Sequence, residues 1–164
     1  MIVTGRAVVV SGDNIDTDVL YPGEHLNVTA VEEMRRHLFD GLDPSLRDLL
    51  VGDTILIVGA NFGAGSSREH VPQAMKASGV RALVGESFAR IFYRNCINLG
   101  LPAFVNAKAA AAAKPGSEIE IDTDGAIVVD AARYDLPPLP PFMQDLLDRG
   151  GLENWVRARG AGSG

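Results

Sequence analysis

The chain has 164 residues, 46% hydrophobic and 22% charged, which suits one ordinary domain with its own core and excludes broad disorder. A net charge of −6 repels a phosphate backbone and so excludes nucleic acid as a partner, although a local arginine can still dominate a small anionic site. The single cysteine, Cys96, rules out an internal disulfide and a cysteine-only iron–sulfur site, and no apolar run nears the ~18–20 residues of a membrane span.

Residues 1–6 lack the basic region, apolar stretch and cleavage pattern of a signal peptide, so the expected location is the cytoplasm. Residues 6–11 contain Ala7-Val8-Val9-Val10, a β-branched run ended by Gly12-Asp13-Asn14, which predicts a strand and a turn. Asp16, Thr17 and Asp18 lack the glycine and glutamate of a calcium loop and read as turn chemistry. Thr29 is the expected N-cap of a helix over 29–39, Gly41 stops it, and 44–50 predict another short helix. A buried strand over 53–58 is followed by the glycine-rich stretch 59–65 and a helix over 67–78. Then come a strand over 80–85, a helix over 87–99 ended by Gly100, and a strand over 102–105. This alternation predicts an α/β fold with crossover helices.

The remainder changes character. Residues 109–113 predict a short helix, and 118–122 with 126–130 a hairpin around Thr123-Asp124-Gly125. Residues 137–141 form a proline-rich extended connector, and 142–149 and 152–159 predict terminal helices. One domain is expected over 1–159, with a frayed tail at 160–164.

The strongest chemical signal is Asn61-Phe62-Gly63-Ala64-Gly65-Ser66-Ser67-Arg68-Glu69-His70. Glycines between a strand and a helix let a ligand approach the backbone and aim free amides at it. Two hydroxyls and a guanidinium then add donors for a carboxylate or phosphate. A phosphate-binding P-loop needs a lysine after its last glycine, a dinucleotide fingerprint needs Gly or Ala at Arg68, and the hydrolase Gly-x-Ser-x-Gly elbow is missing. Ser66-x-x-Glu69 is also a capping box, so anion binding and plain helix capping both remain open on this pattern.

Asn61 to His70 resembles the Asn-x-Gly-x-Gly-Ser-Ser-Arg-Glu signature of the aconitase superfamily's swivelling domain. The resemblance continues through Ser87-Phe88-Ala89-Arg90-Ile91-Phe92-Tyr93-Arg94-Asn95 and Asn98-Leu99-Gly100-Leu101-Pro102. It begins upstream at Gly12-Asp13-Asn14-Ile15-Asp16-Thr17-Asp18 with Pro22-Gly23. It implies a single swivelling domain (β/β/α) with a mixed sheet, acting as the small subunit of a hydro-lyase. A [4Fe-4S] cluster is expected on a large partner subunit, in a heterodimer or heterotetramer, with no cofactor or metal on this chain. The implied reaction isomerises 2-substituted malates by dehydration and rehydration, with 3-isopropylmalate of leucine biosynthesis favoured. A homoaconitase-type or dimethylmalate substrate is the alternative, and a non-catalytic anion-binding module is a reading of another class.

By motif match the resemblance implies that Ser66 is the catalytic base, with Gly65, Ser67 and Arg68 contacting a di- or tricarboxylate substrate. It places substrate choice in His25-Leu26-Asn27-Val28, where His25 replaces the family's tyrosine and Asn27 is neither arginine nor apolar. Polar Glu24, His25 and Asn27 predict that 21–28 is mobile until a partner or substrate orders it. Arg90 and Arg94 share a helix face and line the site or an interface under the same resemblance. His25 and His37 have no metal-ligand spacing and read as ordinary polar residues, and Cys96 reads as packing.

Overall fold

The computed structural model describes residues 1–162; Ser163 and Gly164, the end of the tail expected to fray, lie outside the described residues. Seven strands form one mixed sheet in the order β4-β3-β2-β1-β5-β6-β7. The parallel half comprises β1 (Ile2–Val10), β2 (Thr54–Val58), β3 (Val80–Gly85) and β4 (Ala103–Val105). The antiparallel half comprises β5 (Glu118–Asp122), β6 (Ala126–Val129) and β7 (Ala132–Asp135). β1 is the seam: Arg6 faces Thr54 on one side and Glu118 on the other.

The alternation of side chains divides the core. Val8, Val10, Leu56, Val58 and Leu83 point to one face, whereas Ala7, Ile55, Ile57, Ala82 and Val84 point to the other. Both faces are covered, so these strands read as continuous apolar runs. The first face packs under α3 (His70–Ala77) and α4 (Arg90–Asn98). It also packs under α1 (Thr17–Leu20), α2 (Val31–Met34) and the turns that follow, through Leu20, Tyr21, Leu38 and Phe39. The second face packs against α5 (Ala107–Ala112) and the apolar side of the hairpin, Ile119, Ile121, Ile127 and Val129. Terminal helices α6 (Pro141–Asp148) and α7 (Leu152–Gly162) close a third cluster around Ile97 and Leu147, and α7 runs into the expected tail.

Three expectations are corrected. α3 starts at His70 rather than at residue 67. Pro72 gives the reason: in a helix begun at 67 its missing N–H and its ring would fall beyond the first turn, whereas from His70 they fall inside it, where no N–H is needed. The 29–39 helix shrinks to the single turn of α2, whose N-cap is Ala30 and not Thr29. Beyond it the chain bends back, so that the amides of Phe39 and Gly41 donate to the carbonyls of Leu20 and Val19. A Cβ on Gly41 would come within 2.8 Å of the Val19 backbone, so only glycine fits there. Third, β7 follows Asp130, whose φ of 55° reverses the chain, and its short Ala-Arg-Tyr-Asp stretch lacks the apolar alternation that announces a strand. Residues 44–49 form a short 3-10 helix capped by Asp43.

Candidate active site

The loops that leave the C-terminal ends of β1, β2 and β3 meet at one edge of the sheet, where open α/β sheets bind ligands. They contain the three sequence blocks 12–18, 61–70 and 87–95, and hydrogen bonds join them. The Gly63 amide donates to the Ile15 carbonyl (2.8 Å) and the Thr17 amide to Ala64 (2.9 Å). The Asn61 side chain donates to Asn14 (3.0 Å), while its amide donates to Ser87 Oγ (2.7 Å). Asn14 and Asn61 both hold positive φ, a conformation asparagine tolerates better than most residues. Asp16 caps α1 by accepting from the amides of Asp18 and Val19, the turn role expected of it.

Within this frame the serine segment is held from three sides. Thr17 Oγ1 donates to the Ser66 carbonyl (2.8 Å), Asn95 on α4 donates to Ser67 Oγ (3.0 Å), and Arg68 Nη1 donates to the Tyr21 carbonyl (2.6 Å). Arg68 Nη2 lies 2.7 Å from Asp18 Oδ1, and its Nε is buried without a hydrogen-bond partner. Ser66 does not cap α3: the N-cap position belongs to Glu69, which makes no side-chain cap. Among the described residues the Ser66 hydroxyl makes no hydrogen bond, and the amides of Gly65, Ser66, Ser67 and Arg68 have no protein acceptor. The φ of +93° at Gly65 turns this run of amides outward onto an exposed surface. The result is an open shelf of unused donors, suited to a carboxylate-rich ligand.

Residues 21–28 run beside the shelf. Tyr21 is fully buried and its hydroxyl donates to the His25 carbonyl (2.8 Å), so the segment has the apolar anchor that its composition conceals. His70 Nε2 lies 3.1 Å from the Val28 carbonyl, and its ring packs 5.0 Å from that of Tyr21. His25 turns back towards His37 and Asp40, while Leu26 and Asn27 are exposed. Arg90 and Arg94 are exposed on α4 and make no ion pair or side-chain hydrogen bond among the described residues; Asn95 is the α4 residue tied to the serines.

Thr17, Asp18, Tyr21, His70 and Asn95 therefore join the candidate site through contacts that pattern reading passed over. Thr17, Asp18, His70 and Asn95 stand in the recognisable blocks, but only the fold shows what they touch. A cleft of about 510 Å3 lined by Thr4, Arg6, Asp53 and Glu118 lies at the opposite end of β2, away from this chemistry. Cys96 is buried on the inner face of α4, where burial pushes its thiol above the ordinary value, in keeping with the packing role read from the sequence. No helix of the described residues is long and apolar enough to cross a membrane.

Comparison with known proteins agrees with these blocks. Residues 49–105 match the model of the aconitase C-terminal domain. The small subunit of 3-isopropylmalate dehydratase from Moorella thermoacetica is 46% identical over 159 residues, covering 95% of each chain. The small subunit of 2,3-dimethylmalate dehydratase from Eubacterium barkeri is 41% identical over 90% of this chain and 92% of its own. The crystal structure of 3-isopropylmalate dehydratase from Methanocaldococcus jannaschii superposes with a TM-score of 0.90 at 35% identity, covering 98% of this chain and 96% of that one.

Proposed function

This chain belongs to the family of 3-isopropylmalate dehydratase small subunits, and from that premise we propose that it forms the serine–arginine wall of a two-subunit hydro-lyase. The enzyme moves a hydroxyl between neighbouring carbons of a 2-substituted malate, in the cytoplasm, with a large subunit as obligate partner. The observation that carries this reading is the shelf: a free Ser66 hydroxyl, four unused amides and the unpartnered Nε of Arg68.

Each part has a task. Ser66 Oγ takes the proton from the substrate carbon and returns it on rehydration. An alkoxide at that atom needs the donors of residues 65–68 around it, because a serine hydroxyl does not ionise unaided at neutral pH. Arg68 holds a substrate carboxylate by two parallel bonds once its Nη2 leaves Asp18 Oδ1, 2.7 Å away. Ser67, oriented by Asn95, contributes a further hydroxyl to the substrate. A [4Fe-4S] cluster on the large subunit supplies the Lewis acid for the leaving hydroxyl; one buried cysteine cannot hold it here.

3-Isopropylmalate is the favoured substrate. Exposed Asn27 is uncharged and cannot neutralise a further distal carboxylate. 2,3-Dimethylmalate is the second reading, favoured by the Eubacterium barkeri relative. The test is anaerobic reconstitution with the large subunit and measurement of kcat/KM on both malates. The chain alone should be colourless and inactive, and the complex should prefer 3-isopropylmalate. Turnover by the isolated chain overturns the two-subunit reading.

A further inference from the structure

Beside the serine shelf, the fold assembles a group of side chains that the dehydration does not use. His25 sits on the 3-10 turn Gly23–His25, and His37 and Asp40 sit in the turns after α2. Their side chains are each about three-quarters buried, with relative exposures of 25%, 26% and 25%. The two imidazoles stack with centroids 3.6 Å apart and planes 11° apart, and a nitrogen of each faces the same atom, Asp40 Oδ2.

We propose that His25, His37 and Asp40 form a binding site for one divalent transition metal ion of the zinc class. The geometry carries it. His37 Nδ1 lies 3.3 Å and His25 Nε2 3.7 Å from Asp40 Oδ2, and the three ligand atoms lie within 4.8 Å of one another. A tetrahedral ion with bonds of about 2.0–2.1 Å spaces its donors about 3.4 Å apart, close to both distances to Asp40 Oδ2, and one imidazole has to turn out of the stack for both rings to point a lone pair at the ion. Two histidines and a carboxylate are a known ligand set of zinc sites that keep a fourth position open.

The second oxygen of Asp40 accepts from Arg47, which also donates to the Leu38 carbonyl. That contact orients the carboxylate and leaves Oδ2 for the metal, as outer partners of ligating carboxylates do. Burial opposes ionisation of Asp40, but the Arg47 hydrogen bond and charge, helped by His37, outweigh it and keep the carboxyl below its usual range. Glu24 Oε1, 3.4 Å from His25 Nε2 on an exposed side chain, is within reach of the fourth position.

A plain hydrogen-bond network accounts for less of this. One oxygen receives His37 at hydrogen-bond distance, while His25 at 3.7 Å stands beyond it. That leaves His25 aimed at an acceptor it does not bond, and an ion between the three atoms uses all of them. The ion would lock His25, and with it the segment that reaches Val28 and His70.

The test uses the full-length chain, freed of metal with a chelator and titrated with Zn2+ by calorimetry and with Co2+ by visible spectroscopy. One ion per chain is expected, with intense visible bands of tetrahedral Co2+ and no thiolate-to-metal band. His25→Gln and His37→Gln should each weaken binding at least roughly tenfold, the least that loss of even an outer partner tends to cost. The unaltered chain provides a reading independent of variant folding. It holds three histidines, and Zn2+ should shift the imidazole resonances of His25 and His37 far more than that of His70, which reaches the site only through Val28 and Tyr21. Equal shifts of all three, shifts of none, or undiminished affinity in both variants overturn the site. None of these readouts requires substrate or the large subunit, so the result is separate from the fate of the dehydratase reading.

Discussion

At Ser66 the capping role and the role of base come apart, because α3 begins only at His70 and leaves the hydroxyl free. Ser66→Ala should therefore abolish turnover of the reconstituted enzyme while changing stability by less than about 0.5 kcal/mol, the range of ordinary surface substitutions. Paired rate and thermal-melt measurements check this, and a folded, fully active variant removes Ser66 from the mechanism. Arg68 is tied by geometry as much as by charge. Arg68→Lys keeps the charge but cannot reach Asp18, the Tyr21 carbonyl and a bidentate carboxylate with one ammonium. Loss of a charge-assisted contact costs ~1.5–3 kcal/mol, so kcat/KM should fall roughly ten- to hundredfold. Unchanged kinetics would show that Arg68 is no carboxylate clamp.

The elements around these residues set how exact the site must be. Gly63, at φ +85°, lies against the ring of Phe92 on α4, and an added Cβ would overlap that ring. Overpacking of ~1–3 kcal/mol plus ~1–2 kcal/mol for a left-handed alanine should lower the melting temperature of Gly63→Ala by about 4–20 °C. A melt within a degree or two of the parent would show that α4 yields. Tyr21 anchors the neighbouring segment, and its phenol is raised above its ordinary value by burial first, then by Asp40 and Glu33. Its protonated form is thus favoured by folding. That contribution is complete below pH ~10 and is lost as pH rises through the raised value. Tyr21→Phe should flatten the alkaline fall in stability seen in melts between about pH 9 and 11.

The sequence exposed much of this scale and concealed some of it for physical reasons. The strands of the parallel half are unmistakable because both faces are buried, and the family's blocks mark the shelf. Pro72 is visible in the sequence and limits the start of α3, whereas the serine-x-x-glutamate pattern points three residues too early. What local reading cannot supply is the company of distant residues. Thr17 reaches Ser66, Asn95 reaches Ser67 and His25 stacks on His37 only once the loops are gathered at one sheet edge.

For the whole molecule, the position of β1 carries a consequence for synthesis on the ribosome. β1, made before the six other strands of the sheet, is its middle strand, bonded on one side to β2 and on the other to β5. At ~5–20 residues per second, β5 leaves the ribosome about 5–20 s after β1. Throughout that interval the edge of β1 that β5 will cover stays bare, a state open to pairing with another chain. Pairing over so long a stretch of chain is also slow to close. Nascent chains stalled before residue 118 should therefore be sensitive to protease and bound by chaperones. Those stalled with 118–135 already outside the tunnel should become resistant, and a pulse-proteolysis series on stalled ribosomes measures where the change occurs. Resistance already present before β5 emerges would mean that the parallel half folds without its central partner.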